Sequence, residues 1–286
     1  MRTWLAGYDM RAAVSLRDAL KTLAAEPGVW TPFAGGTDLM VLMEAGKLTH
    51  RKYLSLWNVA ELRGVHVEEA HVVLGALATY SDLLANPTLQ AEFPLVCTAA
   101  AETGAVAIQN RGTVGGNIAN ASPAADLPPA LLVYDAILTV TSVRGERRIP
   151  YDGFHKGYKS IDLAGDELIT AVTLPRGRSA WVQAYRKVGT RRAQAISKVC
   201  FAAGASVDNG KIVDVRLALG SVAPTVVRCR KTESVLRNQT IDDTVIRAGR
   251  AELMREIVPI DDIRSNAAYR RTVAGNLLED FLRGVK

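Results

Sequence analysis

The pattern of apolar and polar positions predicts short helices and strands in mixed order through the first 175 residues. Leu16, Ala19, Leu20 and Leu23 recur at helical spacing, behind Ser15 as N-cap and ahead of a helix-ending Pro-Gly pair. Apolar runs predict strands at 29–33, 53–56, 65–74, 137–143 and 168–174, and further helices at 39–44, from residue 79 and at 94–103.

The last third of the chain has a different pattern, in which strands come first and helices follow. Strands are predicted at 181–185, 199–207 and 212–221, and an Asp-Asn-Gly hairpin turn joins the last two. Amphipathic helices are predicted at 242–255 and 267–282, with the apolar face of the second marked by Tyr269, Val273, Leu277 and Phe281. Strands followed by helices indicate an α+β unit, which we place after 175–179, where the chain becomes basic and polar.

Two Gly-Gly pairs are the clearest chemical signal in the sequence. Gly35-Gly36 precedes the predicted helix 39–44, which Thr37 or Asp38 is expected to cap. Gly115-Gly116 lies within 109–126, which has neither helical nor strand periodicity and is predicted as a loop. Adjacent glycines let backbone N–H groups point into one concavity and let a phosphate or diphosphate approach without an intervening Cβ. Neither loop has the GxGxxG or GxxxxGKS/T pattern, so the residues alone predict anion-binding loops and leave the ligand open.

The net charge of +6 is concentrated in one segment. No acid lies between residues 168 and 207, and this segment carries seven cations: Arg176, Arg178, Arg186, Lys187, Arg191, Arg192 and Lys198. Such a cluster attracts nucleic acid, a phosphate-bearing cofactor or an acidic partner. Nucleic-acid binding has little support, since only Trp181 and Tyr185 offer aromatic rings nearby. We expect Arg178, Arg191 and Arg192 to face a partner instead.

The sequence offers little for a metal or a membrane. The three cysteines lie far apart and the four histidines form no HExxH, so we expect no metal site within the chain. The longest stretch without charged residues, 112–125, is shorter than the ~20 apolar residues of a membrane span, and no signal peptide is recognisable. We therefore expect a cytoplasmic protein without a membrane span.

Four segments carry a resemblance to a known family: Ala34 to Leu39 (AGGTDL), Arg111 to Asp126 (RGTVGGNIANASPAAD), Tyr185 to Val199 (YRKVGTRRAQAISKV) and Asn266 to Arg271 (NAAYRR). They resemble the FAD-binding subunits of molybdenum hydroxylases, the family of xanthine dehydrogenase and carbon monoxide dehydrogenase. The resemblance covers the whole chain. It implies a two-part FAD-binding domain of the molybdopterin dehydrogenase and vanillyl-alcohol-oxidase type at 1–176, divided near residue 57, and a C-terminal α+β domain at 177–286.

By this resemblance the two glycine loops wrap the FAD diphosphate and its ribityl neighbourhood. Asp126 is placed near the adenosine end, Lys187 corresponds to a lysine at the flavin, and Gly104 and Ile169 correspond to backbone contacts. The implied cofactor-binding residues are Pro32, Phe33, Ala34, Gly35, Gly36, Thr37, Asp38, Gly104, Thr113, Gly115, Gly116, Asn117, Asn120, Asp126, Ile169 and Lys187. No catalytic side chain is implied, because the flavin supplies the chemistry.

The resemblance also implies a function within a larger oxidoreductase. A large molybdopterin subunit would oxidise the substrate, a small subunit would carry 2Fe–2S clusters, and FAD in this chain would pass the electrons to NAD, a quinone or dioxygen. The assembly would be a dimer of heterotrimers. The alternative is a stand-alone FAD-dependent reductase similar to UDP-N-acetylenolpyruvoylglucosamine reductase. That enzyme would need its own proton donor, for which Ser221 is conceivable, although a serine at a strand end is usually structural.

Overall fold

The computed structural model describes residues 7–285, and its first sheet is small and parallel. β1 (Asp9–Ala12) and β2 (Trp30–Phe33) both pair in parallel with a central β3 (Lys52–Ser55). Helix α1 (Leu16–Ala25) connects β1 to β2, and its start confirms the predicted cap, since the Ser15 hydroxyl accepts a hydrogen bond from the Asp18 N–H at 3.1 Å.

The second sheet is antiparallel and supplies the scaffold behind the candidate site. Its strands are β4 (Val65–Val67), β5 (His71–Gly75), β6 (Ile137–Ser142), β7 (Gly145–Pro150) and β10 (Leu168–Pro175), in the order β4-β5-β10-β6-β7. A hairpin of β8 (His155–Gly157) and β9 (Ser160–Ile161) lies between β7 and β10 in the chain. The sequence pattern missed β7, because that strand is rich in charged residues and mostly exposed.

Short helices fill the connections of this first part of the chain. They are α2 (Leu39–Glu44), α3 (Tyr80–Ala85), α4 (Pro87–Glu92), α5 (Pro94–Glu102), α6 (Val106–Gln109), α7 (Val114–Asn120) and α8 (Leu127–Val133). The prediction of a loop throughout 109–126 was wrong, since α7 lies within it. Two glycines hide its helical pattern, and the helix is held by Thr113, whose hydroxyl caps it, and by the burial of Val114 and Ile118.

The C-terminal part is the predicted run of strands followed by helices. One antiparallel sheet contains β11 (Val182–Val188), β12 (Val199–Asp208), β13 (Lys211–Gly220) and β14 (Val227–Arg228) in that order. The helices α9 (Arg230–Leu236), α10 (Asp243–Glu256) and α11 (Ala267–Gly284) follow. Together with the mixed first part, this arrangement confirms the α+β fold class.

The predicted apolar face of α11 was correct except at its first residue. Phe281 is buried, and Val273 and Leu277 are partly buried against the core, whereas Tyr269 is 42% exposed. The helix also buries a second row that the pattern did not include: Arg270, Ala274, Leu278 and Leu282. The Arg270 guanidinium donates to the Ser221 carbonyl at 2.8 Å, so a charged side chain begins this row.

Helix α8 joins the two parts of the molecule. All seven of its residues are buried, and it packs between the helix layer around α5 and the strands β12 and β13. One hydrophobic core therefore runs from the antiparallel sheet into the C-terminal sheet. Among the helices of residues 7–285, none is both long and apolar enough to cross a membrane.

Candidate functional site

The two glycine loops lie side by side. The first, residues 34–38, connects β2 to α2, and the second, residues 111–117, leads into α7. Arg111 Nε donates to the Gly35 carbonyl at 3.4 Å, and its guanidinium lies 3.6 Å from the centroid of the Trp57 ring. A Cβ at Gly116 would stand 3.7 Å from the Cβ of Ala34. The fold thus brings together two segments that are about 80 residues apart in sequence.

The glycines serve first to let the protein pack against itself. A Cβ at Gly35 would be 1.7 Å from the Arg111 carbonyl oxygen, and one at Gly115 would be 2.7 Å from the Cβ of Ala76. Gly36 has φ +79° and would place a Cβ 2.6 Å from the Phe33 ring. The expectation that these glycines chiefly make room for a ligand was therefore incomplete, because a side chain at any of these three would already collide with protein atoms.

The backbone N–H groups of the first loop have no acceptor among the residues that the structure describes. In the part of the chain from residue 7 to 285, no hydrogen bond is donated by the five successive amides of Ala34 to Asp38. Asp38 occupies the N-cap of α2 without forming the expected capping bond, and the first amide of this segment to find an acceptor is that of Met40, on the Gly36 carbonyl at 2.9 Å. A run of free, half-buried amides is an anion-binding concavity.

The second loop uses its N–H groups internally. Val114 donates to Ala78 at 3.0 Å, Gly115 to Ala76 at 2.8 Å, and Gly116 to the Thr113 hydroxyl at 3.2 Å. The contribution of this loop to a ligand therefore falls to its side chains. The Thr113 hydroxyl is used as the cap of α7, and Asn117, in the first turn of the helix, is the next polar side chain.

Two of the predicted cofactor-binding residues have a buried side-chain oxygen that accepts no hydrogen bond from the described residues. Among the described residues, four buried side-chain atoms lack a hydrogen-bond partner, and two of them are Asn117 Oδ1 and Asp126 Oδ1. A buried polar group without a hydrogen-bond partner costs about 1–3 kcal/mol of folding free energy. A bound ligand that donates hydrogen bonds to these two oxygens would remove that cost. FAD carries ribityl and ribose hydroxyls and ring N–H groups that can donate to such atoms. The free amides and the orphaned oxygens together fit this cofactor.

Asp126 and Lys187 form a buried ion pair. Lys187 Nζ donates to Asp126 Oδ2 at 2.6 Å and to the Glu102 carbonyl at 2.8 Å, and the two side chains are only 4% and 11% exposed for Lys187 and Asp126. Burial raises the pKa of Asp126 to about 6, against the opposing effect of the Lys187 charge. Tyr185 supports the turn by donating its hydroxyl to the Asp126 carbonyl at 2.9 Å.

This pair corrects the placement that the resemblance implied. Asp126 was placed near the adenosine end of FAD and Lys187 at the flavin, yet the two side chains touch. An extended FAD separates those ends by far more than the length of an ion pair. The two residues therefore lie at one place in the fold and cannot mark opposite ends of the cofactor.

The remaining predicted residues surround the two loops. Pro32 and Phe33 end β2, and the Phe33 ring lies edge-on to Tyr53 with centroids 6.3 Å apart. Gly104, at φ +60°, begins the turn from α5 to α6. Ile169 lies at a bulge of β10, next to Thr170, whose carbonyl accepts from the Ala76 N–H at 3.0 Å. Since Ala76 also accepts from Gly115, the bulge is linked to the second loop.

Two residues near the loops were not predicted from the sequence as members of the site. Tyr80 donates its N–H to the Gly112 carbonyl at 3.2 Å, and burial raises the pKa of its hydroxyl well above the usual range. Lys159 donates from Nζ to the carbonyl and to Oδ1 of Asn120, at 2.6 Å each. Neither residue belongs to a recognisable motif, and only the folded chain brings them to the site.

The basic segment is partly neutralised within the molecule. Arg176 pairs with Glu92 at 2.6 Å, and Arg178 pairs with Asp135 at 2.6 Å while also bonding the Tyr134 carbonyl. The expectation that Arg178 faces a partner was therefore wrong. Arg191 and Arg192 are exposed, although Arg191 also bonds two carbonyls of its own loop. That they face a partner stays a prediction.

These features define a flavoprotein class: a nucleotide cradle on a small parallel sheet, with an α+β C-terminal part. Residues 7–177 match the family model described as the FAD binding domain in molybdopterin dehydrogenase. Residues 183–285 match the CO dehydrogenase flavoprotein C-terminal domain. The chain belongs to the family of FAD-binding, or medium, subunits of molybdenum hydroxylases of the xanthine dehydrogenase and carbon monoxide dehydrogenase type, which confirms the resemblance.

Individual relatives match over nearly the whole chain. The putative xanthine dehydrogenase FAD-binding subunit of Escherichia coli K12 is 32% identical over 260 residues, covering 90% of this chain and 89% of the relative. The carbon monoxide dehydrogenase medium chain of Hydrogenophaga pseudoflava is 26% identical over 275 residues, 96% of each chain. A solved structure of that organism's carbon monoxide dehydrogenase, in a form lacking the Mo-pyranopterin moiety, superposes with a TM-score of 0.93 at 26% identity, covering 97% of this chain and 96% of that one.

Proposed function

We propose that this chain binds one FAD between its two glycine loops and acts as the electron-relay subunit of a molybdenum hydroxylase. FAD, when bound, supplies the redox chemistry by accepting and releasing electrons. The chain's own residues hold and orient the cofactor. The observation that carries the proposal is the row of five amides in Ala34 to Asp38, which donate to no acceptor within residues 7–285 and so offer a diphosphate a set of donors.

The orphaned oxygens supply the second support. Asn117 Oδ1 and Asp126 Oδ1 offer acceptors to hydroxyl or N–H donors of the cofactor. Lys187 keeps a positive charge beside Asp126, and a cation near the flavin favours the reduced, more negative form. We propose that all sixteen residues implied by the resemblance bind the cofactor. Thr113 contributes to this by capping α7.

The partners follow from the family. We propose a small subunit with 2Fe–2S clusters as the electron donor, a large molybdopterin subunit as the site of substrate oxidation, and NAD, a quinone or dioxygen as the acceptor. We further propose a dimer of heterotrimers in the cytoplasm, with the FAD-binding domain at 1–176, divided near residue 57, and the C-terminal domain at 177–286. The relatives' similarity over at least 89% of their own lengths supports a medium subunit of this kind.

The test is stepwise reconstitution. The chain alone, loaded with FAD, is expected to bind the flavin stoichiometrically and to leave it oxidised in the presence of purines, aldehydes, aromatic heterocycles or carbon monoxide. Addition of the native molybdenum and iron–sulfur subunits, identified by mass spectrometry of the native complex, should restore flavin reduction by the substrate. Failure to bind FAD would refute the proposal at its first step.

The stand-alone reductase makes the opposite prediction, namely turnover of an organic substrate by the lone chain. Its conceivable proton donor has a structural environment, since the Ser221 hydroxyl is buried and donates to the Ser197 carbonyl at 2.9 Å. Turnover of an organic substrate by the lone chain at ~10 s⁻¹, a typical median for enzymes, would favour the reductase over the electron relay.

A further inference from the structure

Lys159 is held against the candidate site by an uncommon backbone conformation. It is the second residue of the two-residue turn between β8 and β9, where Gly157 pairs with Ser160. Its φ is +56°, a left-handed value at which glycine or asparagine would be the ordinary choice. The turn geometry does not favour a lysine at this position. The contacts of the lysine side chain must therefore account for its presence.

The lysine side chain reaches from this hairpin to the end of the second loop's helix. Nζ donates to the carbonyl and to Oδ1 of Asn120, at 2.6 Å each. An ammonium group has three N–H donors, so one remains for another acceptor. Asp38 of the first loop is also near: partial burial lowers the pKa of Lys159, and the charge of Asp38 acts in the opposite direction.

Charge balance explains why a cation is needed there. The two loops, 34–38 and 111–117, contain one negative side chain, that of Asp38, and one positive side chain, that of Arg111. A diphosphate adds further negative charge. Arg111 is the other nearby cation, and it is occupied by stacking on Trp57 and by its bond to Gly35. Lys159 therefore touches a predicted cofactor residue, Asn120, and still has a donor to give. Lys187 also has a third donor, but its charge is already paired with the Asp126 carboxylate, whereas the two bonds of Lys159 go to the neutral oxygens of Asn120.

We propose that Lys159 is a cofactor-binding residue that donates to the diphosphate of FAD and supplies its countercharge. This inference rests on the proposed function, and it adds a third segment, the β8–β9 hairpin, to the two glycine loops. The ligand class is a nucleoside diphosphate moiety, which free ADP shares with FAD and riboflavin lacks.

The test measures the dissociation constants of FAD, ADP and riboflavin for the purified chain by flavin fluorescence and calorimetry. Lys159→Met should weaken FAD and ADP about tenfold, the value of one hydrogen bond to a charged group, and leave riboflavin unchanged. Lys159→Asn suits the left-handed turn and should give the same loss with an unchanged melting temperature. The matched control is Lys156→Met in the same hairpin, since Lys156 pairs with Asp162 at 3.3 Å and is 55% exposed; it should alter none of the three constants.

Each other outcome has a distinct meaning. Unchanged FAD and ADP binding in both Lys159 variants would overturn the inference. Equal weakening of riboflavin would overturn it as well, because the lysine would then act only by holding Asn120. If the unsubstituted chain bound neither FAD nor ADP, the proposed function itself would fail, which is a separate result.

Discussion

The two glycine loops lie against each other, yet their backbone N–H groups are used in opposite ways. Those of Ala34 to Asp38 donate to no acceptor within the described chain, whereas those of Val114 to Asn117 are bonded to Ala76, Ala78 and Thr113. We propose that the first loop receives an anion, and the contacts of the second loop hold the first in place. A Gly-Gly pair in a sequence therefore does not by itself identify a ligand contact, because it can equally mark a place where backbone meets backbone.

This comparison predicts that stability falls where a substitution breaks a packed or paired contact, and that it stays unchanged where a group of the first loop has no partner within residues 7–285. The largest effect is expected for Lys187→Met, which leaves Asp126 buried without its cation. Breaking a buried pair costs about 3–5 kcal/mol, and we expect the lower end, because protonation of Asp126 relieves part of the penalty. Denaturant unfolding measures this loss.

The pH dependence of the same variant has a defined sign. Folded Asp126, with a pKa of about 6, holds its proton above the pH at which an unfolded aspartate releases it, so the unfolding free energy falls as the pH rises toward 6. Without Lys187 the pKa of Asp126 rises further, so the unfolding free energy of the variant continues to fall as the pH rises above 6. Adding Asp126→Asn to Lys187→Met should flatten the profile, and a profile that stays steep would assign the effect to another group.

The next effect tests the contact between the loops. Gly35→Ala would place a Cβ 1.7 Å from the Arg111 carbonyl oxygen, so the loops must separate. Such overpacking costs about 1–3 kcal/mol, and we expect a lower melting temperature together with loss of FAD binding. Gly157→Ala is the control, since a Cβ there meets nothing within 4 Å; an equal loss of stability in both variants would contradict the packing argument.

The smallest effect contrasts two threonines. Thr113→Val removes the hydroxyl that caps α7 and should lower the unfolding free energy by about 1 kcal/mol. Thr37→Val removes a hydroxyl from the first loop, where no intramolecular hydrogen bond of that side chain is seen in residues 7–285, and should leave stability unchanged. Equal losses in the two variants would mean that both loops depend on their side chains to the same extent.

Much of the fold could be predicted from the sequence, because local patterns determine it. The apolar strands 199–207 and 212–221, their Asp-Asn-Gly turn and the Ser15 cap are all properties of a few neighbouring residues. Helix α7 was missed since two glycines disguise a helix that is stabilised by burial and by one cap. Burial of a charged residue, as at Arg270, likewise contradicts any pattern based on hydrophobicity.

The candidate site could be predicted from the sequence only in part, and the prediction came from a motif and not from local hydrophobic patterns. The glycine loops were recognised through their motif, but their contact, and the unequal use of their amides, depend on residues such as Ala76 and Ala78 that carry no chemical signal. The pair Asp126–Lys187 and the contact of Lys159 with Asn120 join residues 61 and 39 positions apart. Only the tertiary fold determines such pairs.

The most direct test of the central claim is amide hydrogen exchange of the chain with and without FAD. The first loop should exchange rapidly in the free protein, and FAD should slow the amides of Ala34 to Asp38 severalfold or more. The amides of Val114 to Asn117, already bonded, should be slow in both states. If FAD bound stoichiometrically while the amides of Ala34 to Asp38 kept their exchange rates, the first loop would not be the anion site, and the account would be wrong.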